Sequence, residues 1–185
     1  MRWLVLFSLW LAGLAGALSL NGTAGPNLPA EARLGVFLVG PSGSALSEFA
    51  SAPIQAGRFS LTLPEGAPDL AARFPLRREN ITWPSVLDPV SLSREVSAGE
   101  LRAYVYTDSS GDGRFERGEP LTETPLHVGR DAVVLVWVDN DTRVQAARGF
   151  EASLRRGWNA LSISPGKAVK VSPYAGGTLN LTVAP

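Results

Sequence analysis

Leu101-Arg102-Ala103-Tyr104-Val105-Tyr106 runs through Thr107 into Asp108-Ser109-Ser110-Gly111-Asp112-Gly113-Arg114-Phe115-Glu116-Arg117-Gly118-Glu119, and Pro120 follows at once. The first six residues alternate. Leu101, Ala103 and Val105 face one way; Arg102, Tyr104 and Tyr106 face the other. A period of two predicts a half-buried strand rather than a helix. Pro120 suits the first turn of a helix, but Leu121-Thr122-Glu123-Thr124-Pro125 gives no helical continuation. The loop is therefore entered from a strand and left by extended chain, which puts it in an all-β protein.

The loop has the spacing of a twelve-residue calcium loop. Oxygen-bearing side chains stand at positions 1, 3, 5, 9 and 12: Asp108, Ser110, Asp112, Glu116 and Glu119. Gly113 takes position 6, where the chain turns sharply. Arg114 takes position 7 and offers its backbone carbonyl. Phe115, at position 8, is an apolar anchor. Calcium takes about six to eight oxygens in a flexible cage, and many flexible ligands favour it over magnesium. The alternative is a solvated acidic turn. The joint occurrence of positions 1, 3, 5, 6, 8 and 12 favours the cation site.

Working outward, strand signals dominate. Val133 to Val138 is a continuous apolar run, as expected of a central strand buried on both faces. Asp139-Asn140-Asp141 reads as a turn from which Arg143 to Ala147 returns as a hairpin. Gly57 to Leu63 alternates, and so does Phe150 to Arg155. Arg33 to Val39 is β-rich, Gly157 to Ile163 extends another strand, and Leu18 to Thr23, Ala168 to Val171 and Thr178 to Val183 complete the set. About nine or ten short strands punctuated by Gly and Pro point to an antiparallel β-sandwich. Pro75, Pro84 and Pro89 interrupt the stretch from Asp69 to Gly99 and exclude a long helix or a central strand there. The expected organisation is a β unit over 18–66, a Pro-rich ordered connection over 67–98 and a second β unit over 99–185 carrying the loop 108–119. A single sandwich across both units is the other option.

Residues 1–17 read as an export signal. Arg2 opens it, Trp3 to Leu14 is almost wholly apolar, and Ala15-Gly16-Ala17 is a small-residue cleavage site ahead of Leu18. A retained anchor helix is the alternative; the short apolar core, Gly13 and Gly16 favour cleavage. No other segment is long and apolar enough to span a bilayer. Cysteine is absent, which excludes disulfides and a lipid-modified cysteine. An exported chain without disulfides must be held by its core, by metal or by both, and fits a bacterial protein better than a eukaryotic one. Arg supplies 15 of the 17 basic residues, which points to a GC-rich genome. Asn21, Asn80, Asn140 and Asn180 head Asn-x-Ser/Thr sequons, read here as strand and turn chemistry rather than glycan sites. The net charge is zero and no basic cluster is interleaved with aromatics, which argues against nucleic acid as a partner.

Val105 to Pro120 resembles the calcium-loaded β-sandwich repeats of bacterial surface adhesins, in which a strand runs into an acidic, Gly-turned loop ending in Gly-Glu. Phe115, Gly118 and Glu119 match that pattern. Ser110 departs from it, since Asp or Asn is usual at position 3, and a neutral hydroxyl lowers the expected affinity. Gly57 to Pro64 is generically similar to strands of transthyretin-like and carboxypeptidase-regulatory-like modules. The resemblances imply an immunoglobulin-like or transthyretin-like sandwich at the cell envelope, structural or adhesive. Its calcium would be bound at about 10⁻⁴–10⁻³ M, and its partner would be another envelope protein or a surface glycan.

Catalytic patterns are weak. His127 is the only histidine, no Gly-x-Ser-x-Gly elbow exists, and a zinc enzyme needs more His or Cys. The protein is expected not to be an enzyme. Asp139 and Asp141 are explained by their turn, with a second cation site or a glycosidase pair as lesser options. Trp83, Trp137, Trp158, Tyr104, Tyr106 and Tyr174 could form a sugar-binding platform, the alternative being core packing.

Overall fold

The computed structural model describes residues 18–181. The expected leader, 1–17, and the far end of the last expected strand lie outside the described residues. The fold is all-β. Its strands are β1 (Ser19–Ala24), β2 (Ala32–Val39), β3 (Ala45–Pro53), β4 (Arg58–Thr62), β5 (Phe74–Pro75), β6 (Ser91–Leu92), β7 (Ser97–Thr107) and β8 (Leu121–Glu123). They continue with β9 (Leu126–Val128), β10 (Asp131–Val138), β11 (Thr142–Ala146), β12 (Phe150–Leu154), β13 (Gly157–Ser164), β14 (Lys170–Pro173) and β15 (Thr178–Leu181). Among the described residues no helix is long and apolar enough to cross a membrane.

The main sheet runs β3-β2-β7-β10-β9-β15-β1-β4. Its two end strands are consecutive in the chain. Gln55 and Arg58 exchange backbone hydrogen bonds of 2.8 and 2.9 Å across Ala56-Gly57. Both turn residues have positive φ, 49° and 70°, the geometry that matches the twist of a two-residue hairpin. The sheet is therefore nearly closed and barrel-like. β1 and β15 form the parallel pair of this path, and Gly22 stands there because any Cβ would collide with the Leu179 carbonyl and the Phe59 ring.

The units expected at 18–66 and 99–185 are interleaved rather than separate. β2 pairs with β7 from Ala32↔Thr107 to Val39↔Glu100, and β1 pairs with β15. Leu20, Leu34, Val36, Leu61, Leu101, Val105, Leu135 and Leu179 share one interior. The reason lies in the inward positions: each of these strands turns an apolar face inward, and curling the sheet round buries those faces together.

β10 is buried on both faces, as its apolar run predicts. Val133 and Leu135 face the barrel interior, while Val134, Val136 and Val138 belong to a second core. That second core is covered by a three-stranded sheet, β12-β11-β6, and by Phe74, Ile81 and Trp83 of the Pro-rich stretch. β11 does not return along β10 as expected. It pairs with β12 and β6, because Val144, with no exposure, packs in the second core rather than at the barrel wall. A third cluster, Phe37, Val39, Tyr104 and Tyr106, lies on the outside of β2 and β7 beneath the 108–119 loop.

Candidate metal centre and neighbouring clefts

The loop continues the β2–β7 ladder, with the Asp108 N–H donating to the Glu31 carbonyl at 3.1 Å. Gly111, Gly113 and Gly118 all have positive φ, 75°, 82° and 112°. Gly113 is the sharp turn expected at position 6, a conformation that a Cβ disfavours. Phe115 folds back as the expected anchor. Its ring meets Phe37 at 5.3 Å and Tyr106 at 5.5 Å, both edge-on, the arrangement preferred by aromatic quadrupoles.

Asp108 is 6% exposed, and its carboxylate points into the loop. Oδ1 accepts the Gly111 N–H at 2.7 Å and Oδ2 accepts the Gly113 N–H at 2.8 Å. The Ser110 hydroxyl donates to Oδ1 at 3.4 Å. Glu119 closes the other end, accepting the Ser109 N–H at 2.8 Å and the Glu116 N–H at 3.0 Å. Asp112 accepts the N–H of Arg114 at 2.8 Å. Glu116 and Asp112 are exposed.

The loop thus gathers Asp108 with Ser110, and Glu119 with the backbone of Ser109 and Glu116. Among the described residues no three His, Cys, Asp or Glu side chains are grouped so as to hold a metal ion. The donor chemistry nevertheless fits a hard cation. The side-chain donors are all oxygen, the glycine turns are in place, and a carboxylate already accepting N–H bonds keeps further lone pairs. Asp108, Ser110, Asp112, the Arg114 carbonyl, Glu116 and Glu119 are the residues that would hold calcium.

Three residues outside the loop complete its surroundings, and the sequence did not point to them. Glu48 of β3 accepts the Phe115 N–H at 2.8 Å and the Tyr106 hydroxyl at 3.0 Å on one oxygen. Arg33 of β2 sets Nη1 3.9 Å from Asp108 Oδ2. Ser51 of β3 accepts from Arg33 Nη2 at 3.2 Å and donates to the Gly113 carbonyl at 3.1 Å. Burial pushes the Tyr106 phenol up; Ser51 works against this and Glu48 adds to it.

A second polar cluster sits where the sheet forks. One edge of β10 is taken by β13. The other is divided, Asp131–Val133 going to β9 and Leu135–Val138 to β7. A cleft of about 490 Å³ opens at this divergence. Glu100, 8% exposed, lines it and accepts Trp83 Nε1 at 3.1 Å and Arg102 Nε at 3.0 Å. Arg102 also donates to Glu123 at 3.3 Å and to Thr82 at 2.9 Å. Burial works to lower the Arg102 pKa, but the hydrogen bond and charge of Glu100, with the charge of Glu123 and a smaller contribution from Tyr104, together outweigh it and the value is raised. His127 lies on β9 at the edge of this cleft.

Of the six candidate platform aromatics, Trp83, Trp137, Tyr104 and Tyr106 are buried. Trp158 and Tyr174 are half-buried and line a separate cleft of about 440 Å³ with Arg155 and Asn159. Asp139 accepts the Ser97 N–H at 3.0 Å and Asp141 accepts the Arg156 N–H at 2.7 Å, so both carboxylates fasten chain corners. Asn21 and Asn180 of the sequons lie on β1 and β15 and accept from Ser60 and Thr23.

Comparison with protein families, curated proteins and solved structures finds no match.

Proposed function

We propose that this is an exported, non-enzymatic envelope module, structural or adhesive, whose 108–119 loop takes a calcium ion. The observation that carries the reading is the inward carboxylate of Asp108 at the head of a strand-flanked, glycine-turned loop anchored through Phe115. A loop pinned to rigid strands is preorganised, so an ion gains affinity without having to order the chain. The sandwich expectation has support in the three-stranded sheet stacked on β10 and β13, a two-layer arrangement beside the barrel. Export would bring the loop to a compartment where a site of about 10⁻⁴–10⁻³ M fills. Calorimetric titration with calcium tests the reading. Binding lost in Asp108→Ala and Glu119→Ala but kept in His127→Ala supports it; no heat from the unaltered protein refutes it.

Glycan binding is the second reading. It rests on Trp158 and Tyr174 lining one cleft, since half-exposed aromatic faces suit the apolar faces of sugars. Trp158→Ala should then abolish retention on immobilised polysaccharide without altering calcium binding.

A further inference from the structure

We infer that Arg33 is the tethered cation of the 108–119 loop: its guanidinium holds Asp108 when no metal is present, and it weakens calcium binding when calcium is. The second half rests on the calcium reading above; the first does not.

Arg33 faces outward on β2 between the inward residues Ala32 and Leu34, directly opposite Tyr106 in register. This places its side chain under the loop. Only 17% of that side chain is exposed. Its Nε is buried and has no hydrogen-bond partner. Nη1 faces Asp108 at 3.9 Å, Nη2 is held by Ser51, and Ser51 in turn grips the Gly113 carbonyl. An ideal Cβ on Gly113 would lie 3.5 Å from Nη2, so the guanidinium lies against the turn itself.

A cation this buried, with one donor unused, is not placed there for its own stability, because desolvation costs more than a single long ion pair returns. Its location matches a different need. Asp108 is the most buried carboxylate of the loop, and an unpaired buried carboxylate is unfavourable. Arg33 supplies the positive charge from the protein side, while the Gly111 and Gly113 N–H groups supply the hydrogen bonds. The same charge repels a divalent ion approaching Asp108, and at such short range this repulsion is only partly screened. Arg114 and Arg117 are exposed and contribute far less. The loop is therefore folded without metal, and its calcium affinity is set by a residue 75 positions earlier in the chain (108 minus 33).

The test compares the unaltered protein with Arg33→Met, which keeps the apolar stem and removes the charge, and with Arg33→Lys, which keeps the charge. Calcium chloride is titrated calorimetrically, and amide exchange of Gly111 and Gly113 is followed in chelator. Arg33→Met should bind calcium about tenfold tighter and lose Gly111 and Gly113 protection in chelator, while Arg33→Lys stays near the unaltered protein. Equal affinity and equal protection in Arg33→Met overturn the inference while leaving the calcium reading intact. Loss of protection with no calcium binding in any variant keeps the tethered cation and removes the calcium reading. Should Arg33→Met fail to fold, Arg33→Gln carries the same two readouts.

Discussion

Glu48 accepts the backbone N–H of Phe115 at 2.8 Å across 67 positions of sequence, and the same oxygen takes the Tyr106 hydroxyl at 3.0 Å. One carboxylate on an edge strand thereby fastens the far side of the loop to the barrel wall. Glu48→Ala leaves the Phe115 backbone N–H without its acceptor and takes from the buried Tyr106 phenol the carboxylate it donates to. The expected cost is about 1–3 kcal/mol in chemical denaturation, with Glu48→Gln losing less because its amide oxygen still accepts. An unchanged midpoint for Glu48→Ala would mean that Phe115 packing alone holds the loop.

Gly22 should tolerate no side chain. A Cβ there meets the Leu179 carbonyl and the Phe59 ring where β1 runs parallel to β15. Gly22→Ala should destabilise by roughly 1–3 kcal/mol through overpacking, measured by thermal unfolding. Gly25→Ala, where a Cβ meets nothing within 4 Å, serves as the control and should change stability little.

Glu100 is the centre of the fork cluster. Glu100→Ala takes the acceptor from Arg102 Nε and from the Trp83 indole N–H, and a broken buried ion pair costs about 3–5 kcal/mol. Because Arg102 keeps Glu123 and Thr82 as partners, the loss should fall at or below the lower end of that range. Quenching of Trp83 fluorescence by acrylamide should rise in the same variant.

Alkaline pH should weaken the fold through its tyrosines. Burial raises Tyr104, Tyr106 and Tyr174, with Glu123 adding to Tyr104. The unfolded chain releases these protons near the ordinary value of about 10, before the native state does. Their contribution is therefore intact below that pH and is lost as pH rises through the raised native values. Melting midpoints should hold steady from neutral pH to about 9 and then fall, less steeply in Tyr106→Phe.

Much of this was legible in the sequence. The alternation of Leu101 to Tyr106, the two-faced burial of Val133 to Val138, the Gly113 turn and the Phe115 anchor are all local patterns, and local patterns survive folding. β3 was not legible. Its Ala45–Pro53 stretch is rich in Ser and Ala, has register irregularities against β2 and is half-buried over most of its length rather than alternating, so it carries no clean period of two. Glu48 and Ser51 lie on this strand, and no local pattern marks them as loop partners. The sequence marks Arg33 only as a strand residue, because its proximity to Asp108 is a product of β2–β7 register. The nearly closed sheet is also hidden: the parallel β1–β15 pair joins the first and last described strands, and no turn signal announces such a pairing.

Thermal unfolding in excess chelator, in 10 mM calcium and in 10 mM magnesium tests the central claim most directly. At a dissociation constant of about 10⁻⁴–10⁻³ M, linkage adds about 1.4–2.7 kcal/mol, a rise of about 3–10 °C for a domain of this size. A rise with calcium, much smaller with magnesium and absent in Asp108→Ala, is the expected result. Identical midpoints in all three solutions would contradict it and leave the loop as a metal-free clasp closed by Arg33, Glu48 and its own backbone.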